Sequence, residues 1–421
     1  MMMEYYYTVA VVGSGPAGLA AASAAKQAGA ESVLIVDRDL SSGGILQQCI
    51  HAGFGLQYFD RELTGPEYAE IFYKKAADSG VEWLMATTAL EIRGNTLVCA
   101  GKEGMLHIRF GALVLAMGCR ERTRANLAIP GSRPAGIYSA GTAQKLINLY
   151  GYQIGSEVVI LGSGDIGMIM ARRLTLQGAK VKAVVEYLPY LAGLERNRIQ
   201  CLEDFHIPLL LSHTIVDISG ISRVESVTIA PVDRAGHSIL GKSEVISCDT
   251  LLLSVGLIPE NELSRTVGLK LSDATQGVEV NQYMQTEQPR IFACGNVLHV
   301  NDLVDNVSRE SERAGRYAAL HAAGRLAKGE EVPVQSGAGI RYACPQRIAV
   351  GAEEDVDIFF RTIVPGIGTH LSAVSGGREL SSRRLKVSSP GAMERLVLPK
   401  EAVHDLKDPV IIRATHREER E

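Results

Sequence analysis

The chain has 421 residues, of which 46% are hydrophobic and 21% are charged, and its formal net charge is −4. These values are typical of a globular protein that is too long for a single hydrophobic core, so two or three domains are expected. The small negative charge argues against nucleic acid as a partner, and no apolar run is long enough for a transmembrane segment.

The first predicted elements are a buried strand, a glycine-rich turn and a helix. The strand, residues 9–12, begins so close to the N-terminus that a signal peptide has no room, and a cytoplasmic protein is expected. The turn, residues 13–18, reads GxGxxG, in which the glycines permit the turn, the approach of a pyrophosphate and close helix packing. The helix, about residues 16–27, directs its N-terminal N–H groups at the phosphates. The next strand, residues 33–36, ends at Asp37, whose carboxylate can accept hydrogen bonds from a ribose.

Three further landmarks resemble markers of the two-dinucleotide-binding-domain flavoproteins: Gly43-Gly44, residues 112–118 and residues 290–296. The resemblance implies that the first glycine loop binds FAD. In that family the last marker usually ends in Gly-Asp, whose carboxylate holds the ribityl chain. Asn296 stands at the Asp position and offers an amide, so a different hydrogen-bond pattern is expected. The residues predicted to bind FAD are Gly13, Ser14, Gly15, Pro16, Ala17, Gly18, Asp37, Arg38, Gly43, Gly44, Ala116, Gly118, Gly295 and Asn296.

The cysteine positions exclude the commonest chemistry of such flavoproteins. Their disulfide reductases carry a redox cysteine pair just after Gly-Gly or just before the second glycine loop. Here Cys49 alone follows Gly-Gly, residues 138–144 contain no cysteine, and the seven cysteines form no CxxC. Thiol–disulfide chemistry is therefore excluded, and no metal site is predicted. Cys49 and His51 are candidate catalytic groups near the flavin, as a thiol and a proton relay; a packing thiol and a loop hydrogen-bond donor are the alternatives.

Residues 48–55, 116–122 and 129–144 resemble a narrower group of flavoproteins. The group comprises the α subunits of opine oxidase, dye-linked proline dehydrogenase, hydrogen cyanide synthase and sarcosine oxidase. The resemblance is strongest to a branch encoded beside anaerobic glycerol-3-phosphate dehydrogenase-like proteins. It implies that a second flavoprotein dehydrogenase subunit oxidises the organic substrate, while this chain carries nucleotides and electrons. A small iron–sulfur protein is a further implied partner.

The second third of the chain repeats the strand, glycine turn and acid of the first. An apolar run at residues 158–161 precedes a second GxGxxG at residues 162–167. Glu186 follows at the same distance from its glycine loop as Asp37 does from the first. An acid at this place favours the unphosphorylated ribose of NAD over that of NADP. A structural adenine nucleotide is the alternative ligand. The residues predicted to bind NAD are Gly162, Gly164, Asp165, Ile166, Gly167, Glu186 and Gly256.

The last third is predicted to contain one long helix and then a β-rich region. The helix starts at residues 302–308 and ends near Lys328, and its charges predict a solvated or interface face. Those charges are Arg309, Glu310, Glu312, Arg313 and Arg316. The β-rich region is favoured as an interaction module, with a structural cap over the FAD domain as the alternative. Its predicted strands are residues 346–351, 356–362, 369–374, 378–387, 393–398 and 410–414, with a turn at 375–377.

Together these elements predict an α/β protein with two Rossmann-like three-layer nucleotide-binding domains and a small C-terminal all-β domain. The FAD domain is discontinuous, at residues 1–122 and 266–330; the NAD domain, residues 123–265, is inserted, and residues 331–421 form a β-sandwich-like domain. The predicted function is an FAD-dependent oxidoreductase that exchanges hydride between NAD(H) and flavin, as the electron-transfer subunit of a glycerol-3-phosphate-, amino-acid- or opine-type dehydrogenase. A stand-alone NADH oxidase or diaphorase is one alternative. An assembly subunit with a structural adenine nucleotide in the second site is the other.

Overall fold

The computed structural model describes residues 3–326 and 329–415, and the chain divides into two compact units. The first unit comprises Met1–Cys119 and Pro259–Glu421, and the second comprises Arg120–Ile258. The second unit is thus inserted between two separated stretches of the first. Residues 331–421 fall in the first unit, so their separation as a third domain stays a prediction.

The first stretch of chain supplies most of a seven-stranded sheet and the helices that cover it. Its elements are β1 (Met3–Val12), α1 (Pro16–Gln27), β2 (Val33–Val36), β3 (Ala52–Phe54), β4 (Leu63–Thr64), α2 (Gly65–Asp78), β5 (Glu82–Leu84), β6 (Thr88–Arg93), β7 (Thr96–Gly101) and β8 (Gly104–Leu115). The strand order is β5-β2-β1-β8-β7-β6, with β1 parallel to both β2 and β8. The continuous apolar runs of β1 and β2 are buried, which is typical of a parallel sheet covered on both faces.

The inserted unit contains a second parallel sheet and a small antiparallel one. Its elements, with the two strands that straddle its boundaries, are β9 (Cys119–Glu121), α3 (Arg124–Leu127), β10 (Ile137–Ser139), α4 (Ala140–Asn148), β11 (Glu157–Leu161), α5 (Asp165–Leu176), β12 (Lys180–Val185), α6 (Glu195–Cys201), β13 (Leu209–Leu210), β14 (His213–Ser219), β15 (Ser226–Pro231), β16 (Glu244–Ser247), β17 (Thr250–Leu253) and β18 (Leu257–Pro259). The parallel order is β10-β17-β11-β12-β13, and β14-β15-β16 are antiparallel. Each unit therefore has its own Rossmann-like strand–glycine turn–helix motif.

The remaining chain completes the first sheet and then forms the β-rich region. Its elements are α7 (Glu262–Thr266), β19 (Ile291–Ala293), α8 (Val304–Ala322), β20 (Glu331–Ser336), β21 (Ile340–Cys344), β22 (Arg347–Ala349), β23 (Val356–Thr362), β24 (Gly366–Ile367), β25 (His370–Ser375), β26 (Arg378–Arg384), β27 (Val387–Ser388), β28 (Glu394–Leu398), α9 (Lys400–Val403) and β29 (Val410–Thr415). β19 pairs in parallel with β8. α8 ends at Ala322, earlier than the predicted end near Lys328, because Gly324 adopts a φ of +69° just beyond it. Lys328 itself lies outside the described residues.

The β-rich region has an apolar core of its own. Its main sheets have the orders β22-β20-β29-β25-β26 and β21-β23-β28. All six predicted strands are present, but β20, β21 and β24 were missed. Their apolar patterns are short, and Pro333 interrupts that of β20, which lies between β22 and β29. Gly376 and Gly377, with φ of +54° and +80°, form the predicted turn between β25 and β26. In the parts of the chain that the structure describes, no helix is both long and apolar enough to span a membrane.

Candidate functional site

The first glycine loop connects β1 to α1 and requires glycine at two of its positions. Gly13 has φ of +105°, and a Cβ there would lie 2.4 Å from the carbonyl oxygen of Ala116. A Cβ on Gly18 would lie 1.8 Å from the carbonyl oxygen of Gly13. Side chains at either position would collide with backbone, so the tight turn and the close approach of α1 both depend on these glycines, as the motif predicts.

Gly15 is different, because the fold itself leaves room for a side chain there. The nearest atom to a Cβ on Gly15 is the Cα of Gly44, at 4.0 Å. The backbone of Gly15 and the N-terminus of α1 therefore border an open cradle, as a pyrophosphate site requires. Gly43 is held beside it by a 2.8 Å hydrogen bond from its N–H to the carbonyl oxygen of Ser14. This arrangement fits the phosphates of a dinucleotide.

Asp37 fastens the loop through its second residue. Its Oδ2 accepts hydrogen bonds from the backbone N–H of Ser14 at 2.5 Å and from the Ser14 hydroxyl at 2.7 Å. Its Oδ1 accepts a 2.9 Å bond from the N–H of Asp39. The predicted ribose acceptor is thus also a structural partner of the loop. Arg38 is exposed.

The other residues predicted for this site come from distant parts of the chain, and the fold brings them to the same loop. The N–H of Ala116 donates a 2.9 Å hydrogen bond to Val12, which places the end of β8 beside the turn. Gly118 has φ of +71°. A Cβ on Gly295 would lie 2.9 Å from the Cβ of Ala17, so Gly295 touches the start of α1. The fold therefore brings the three sequence landmarks together at the carboxyl ends of the parallel strands.

Asn296 has partners that an aspartate could not all have. Its Oδ1 accepts a 2.9 Å hydrogen bond from the N–H of Asn301, and its Nδ2 donates to the Sγ of Cys119 at 3.5 Å. A carboxylate has no donor for the sulfur contact. The altered hydrogen-bond pattern expected from this residue thus includes a link to Cys119.

A buried pair behind this site corrects the prediction for α8. Glu310 was expected on a solvated or interface face, yet only 4% of it is exposed and it is buried within its own unit. Its Oε1 accepts a 2.5 Å hydrogen bond from the N–H of Gly295, and its Oε2 lies 2.9 Å from Nε2 of His299. The helical spacing could not reveal this, because the partner residues precede α8 and only packing brings them against that face. Glu310 and His299 thus support the site, although their roles could not be predicted from the sequence.

His299 shares this buried position. Burial opposes a charged ring, but its neighbours Cys344, Tyr342 and Glu310 together raise the pKa of His299 well above its usual range. The Glu310 carboxylate is the neighbour that touches Nε2. The raised pKa favours the protonated form of the His299 ring.

Cys49 and His51 lie on the segment between Gly44 and β3. The Cys49 thiol donates to the carbonyl oxygen of Ile45 at 3.3 Å, and burial raises its pKa to about 12. The His51 ring packs on Phe54 with centroids 5.1 Å apart. A thiol of this kind stays protonated at neutral pH and is a poor nucleophile. The catalytic roles of both residues stay predictions.

Replacement of Cys49 by serine is expected to change the rate of flavin reduction by NADH less than about twofold, because a protonated thiol contributes no nucleophile. Since the raised pKa keeps the thiol neutral below about pH 12, the rate should show no thiol ionisation between about pH 6 and 10. Anaerobic stopped-flow spectroscopy of both proteins across that range measures this. A titration near pH 8 that disappears in Cys49→Ser would contradict it.

The second glycine loop, between β11 and α5, has the same steric logic. Gly162 has φ of +97°, and a Cβ there would lie 2.1 Å from the carbonyl oxygen of Ser254. A Cβ on Gly167 would lie 2.6 Å from the Cβ of Ser254, whose hydroxyl accepts a 3.0 Å hydrogen bond from the Gly167 N–H. At Gly164 the nearest atom is the Ser254 hydroxyl oxygen at 3.1 Å. The middle glycine again has the most room, which fits an approaching phosphate.

Glu186 repeats the role of Asp37. Its Oε2 accepts hydrogen bonds from the N–H of Ser163 at 2.8 Å and from the Ser163 hydroxyl at 2.7 Å, and its Oε1 accepts one from Leu188 at 2.8 Å. Only 4% of Glu186 is exposed. Ser163 was missed as a site residue, although a serine stands at the same place in both loops and was the available signal.

Asp165 and Gly256 have roles within the second unit. Asp165 Oδ1 accepts hydrogen bonds from the N–H of Leu194 at 2.8 Å and from Nδ2 of Asn197 at 2.6 Å, which holds the start of α6 against the loop. Gly256 has φ of +99° and accepts a 3.1 Å bond from the N–H of Arg122. Ile166 is half-buried on α5. Asp165 thus has a structural role, because its carboxylate fixes the segment that begins α6 next to the second glycine loop.

The cysteines and metal-ligating groups are dispersed. All seven cysteines are free thiols. Over residues 3–326 and 329–415 there is no group of three or more His, Cys, Asp or Glu side chains that could hold a metal ion. The functional assignment therefore depends on the two glycine loops and not on a cysteine or metal centre.

Comparison with known proteins gives a consistent picture. The family described as pyridine nucleotide-disulphide oxidoreductase matches residues 7–325. Hydrogen cyanide synthase subunit HcnB of Pseudomonas protegens is 26% identical over 337 residues, covering 74% of this chain and 69% of that protein. An opine oxidase subunit of Agrobacterium tumefaciens is 27% identical over 352 residues, covering 75% of this chain and 65% of that protein. A solved NAD-dependent persulfide reductase from A. fulgidus has the same fold, with a TM-score of 0.59 at 19% identity, covering 94% of this chain and 73% of that chain.

Proposed function

The chain belongs to the pyridine nucleotide-disulphide oxidoreductase family, and from this premise we propose that it is the electron-transfer subunit of a multi-subunit dehydrogenase. Its membership makes it an oxidoreductase that uses FAD and a nicotinamide nucleotide. In the proposal FAD binds at the first glycine loop and NAD(H) at the second. The seven free cysteines support the further prediction of a reducing, cytoplasmic location.

The equivalence of the two loops carries the proposal. In each, the middle glycine has the most room of the three, although Gly164 is closer to its neighbours than Gly15, and the second residue is a serine held by an acid, Asp37 in one unit and Glu186 in the other. The loop N–H groups and helix N-termini would hold the phosphates, and the acids would order the loops and meet the riboses. Bound FAD supplies the ability to exchange a hydride with NAD(H) and to pass electrons singly or in pairs.

Two relatives support a role within a larger assembly. HcnB and the opine oxidase relative are both named as subunits. By this analogy, a second flavoprotein would oxidise the organic substrate, and a small iron–sulfur protein is a further candidate partner. We further propose that the chain belongs to the branch associated with glycerol-3-phosphate dehydrogenase-like proteins, on the motif at residues 48–55.

The β-rich region offers a surface for such a partner. β24 and β27 pair with each other and expose aliphatic side chains, with Ile367 77% and Val387 68% accessible. Ile363 and Val364, just before this pair in the chain, are each 46% exposed. Clustered exposed apolar side chains often mark protein–protein contacts. This supports residues 331–421 as the module that binds the dehydrogenase subunit.

Anaerobic mixing of the purified flavoprotein with NADH tests the nicotinamide assignment, and bleaching of the oxidised flavin absorbance is expected. Glu186→Gln should weaken NADH binding about tenfold, because one amide oxygen cannot serve both Ser163 and Leu188 and the loop loses order. Its FAD content should equal that of the unaltered protein, since the acid lies in the other unit.

Three outcomes would overturn parts of this proposal. Absence of bleaching by NADH would remove the nicotinamide function, and recovery of ATP or ADP from the second site would favour a structural nucleotide. Rapid steady-state turnover of NADH with oxygen by the isolated chain, at the rate of flavin reduction, would favour a stand-alone NADH oxidase. If this chain is an electron-transfer subunit, an untagged dehydrogenase subunit should co-purify with the tagged chain.

A further inference from the structure

A cavity of about 260 Å³ lies beside α8, and the residues that line it all belong to the first unit. Its walls include Asn306, Arg309 and Arg313 from α8, Asp357 and Phe359 from β23, and Arg395 from β28. None of the residues predicted to bind FAD is among its lining residues, although Glu310, which accepts the hydrogen bond from Gly295, is one of them. The cavity is therefore distinct from the proposed FAD site.

One wall is set by the pairing of two strands. Phe359 stands opposite Arg395 in the antiparallel register of β23 and β28. Asp357 precedes Phe359 by two residues, so both side chains project from the same face of β23. This wall thus presents an aromatic ring, a guanidinium and a carboxylate side by side.

The opposite wall is one face of a helix. Asn306, Arg309 and Arg313 are spaced by three and four residues along α8, which places them in a single stripe. Two arginines separated by four residues repel each other and weaken an isolated helix.

Within the described part of the chain, Arg313 and Arg395 share one carboxylate, that of Asp357. Asp357 Oδ1 accepts a 2.8 Å hydrogen bond from Arg395, and its Oδ2 accepts a 3.3 Å bond from Arg313. A single negative charge is thus divided between two positive ones. This leaves positive charge at the cavity wall that the ion pair does not offset.

Arg309 adds a third guanidinium. It donates to the carbonyl oxygen of Gln57 and lies 5.9 Å from the ring centroid of Tyr58, with no carboxylate partner among the residues that the structure describes. The Glu312 carboxylate, which also lines the cavity, is occupied by Lys75 at 2.8 Å and by the Tyr58 hydroxyl at 2.6 Å. The Glu310 carboxylate is a further lining group, and it is paired with His299 at 2.9 Å. The cavity wall therefore carries an excess of positive charge.

We propose that this cavity is a binding site for a small organic anion whose carboxylate or phosphate group contacts Arg309, Arg313 and Arg395. Guanidinium groups present paired N–H donors that match both kinds of oxyanion. The ring of Phe359 provides an apolar surface for the rest of the molecule. The volume lies below the roughly 300–1,000 Å³ of sites for drug-sized ligands, so the ligand is a small metabolite and not a dinucleotide.

Isothermal titration of the FAD-loaded full chain with inorganic phosphate and, separately, with citrate tests the site at low ionic strength. Binding of either probe in the millimolar range or tighter is expected. Arg309→Gln should weaken that binding about tenfold or more, because a charge-assisted contact is lost. Arg313 and Arg395 stay unaltered, since their replacement would also break the ion pair with Asp357.

The matched control is Arg316→Gln, which removes one positive charge from the same helix. Arg316 pairs with Glu354 and is about half exposed, outside the cavity lining. Its binding of the probes should equal that of the unaltered chain. Arg309→Lys keeps the positive charge and replaces Arg309→Gln in the test if that variant fails to fold. It should bind the probes several-fold more weakly than the unaltered chain, because lysine lacks the paired N–H donors of arginine. Equal binding by all variants, or no binding of either probe to the unaltered chain, would overturn the site.

Discussion

Gly15→Ala is expected to weaken FAD binding at least about 100-fold, which corresponds to about 2.7 kcal/mol. The added methyl group would occupy the open space in front of the loop, where the pyrophosphate must approach the backbone. The fold should tolerate the change, because the nearest atom to the new Cβ is 4.0 Å away and the φ of Gly15 is −71°. Stability of the FAD-free protein should therefore change by less than about 1 kcal/mol.

The measurement compares the flavin content of the purified variant and its FAD affinity after reconstitution. Gly164→Ala is the control, because the same methyl group is added to the middle glycine of the other loop, where the Ser254 hydroxyl at 3.1 Å must shift slightly. That variant should keep its FAD and lose affinity for NADH. Full FAD content in Gly15→Ala, or loss of FAD in Gly164→Ala, would show that the two ligands are wrongly assigned to the loops.

Glu310→Ala is expected to lower the free energy of unfolding by about 3–5 kcal/mol. The substitution removes the acceptor of the Gly295 N–H and leaves the buried ring of His299 without its carboxylate. Urea denaturation, followed by far-ultraviolet circular dichroism, measures the loss. Glu70→Ala is the control, since Glu70 forms an exposed pair with Lys74 and should contribute less than about 1 kcal/mol.

The same pair predicts a pH dependence of stability. The pKa of His299 is raised in the folded state, so the stabilisation by its protonated ring is complete below the unfolded pKa of about 6.5. It is lost as the pH rises through the folded pKa. Because Cys344 and Tyr342 also face the ring, the unaltered protein is compared with Glu310→Ala. The free energy of unfolding of that variant should depend less strongly on pH. A loss below about 1 kcal/mol for Glu310→Ala at neutral pH would mean that the pair contributes little.

The sequence located both glycine loops, the acids that follow them and most of the C-terminal strands. Each of these depends on short-range rules: a residue with positive φ and no room for a Cβ must be glycine, and apolar runs of a few residues form strands. Gly13 and Gly162 satisfy the rule within six-residue motifs. The strands β20, β21 and β24 escaped because their patterns are short and one contains proline.

The roles of the acids were only half visible. Spacing predicted that Asp37 and Glu186 lie near ribose positions, but the two serines that they hold became apparent only from the folded loops. Ser163, which was not among the residues predicted to bind NAD, was recognised because Ser14 occupies the same position in the first loop.

Tertiary structure alone decided what the charged face of α8 does. Glu310 is buried against Gly295 and His299, while Arg309 and Arg313 line a cavity with Arg395 from a strand far along the chain. Helical periodicity predicts which side chains lie on the same face of a helix, but not whether solvent or protein covers that face. The glycine loops were readable because their sterics are local; the buried pair and the arginine cavity were not, because burial and charge pairing depend on segments that meet only when the chain folds.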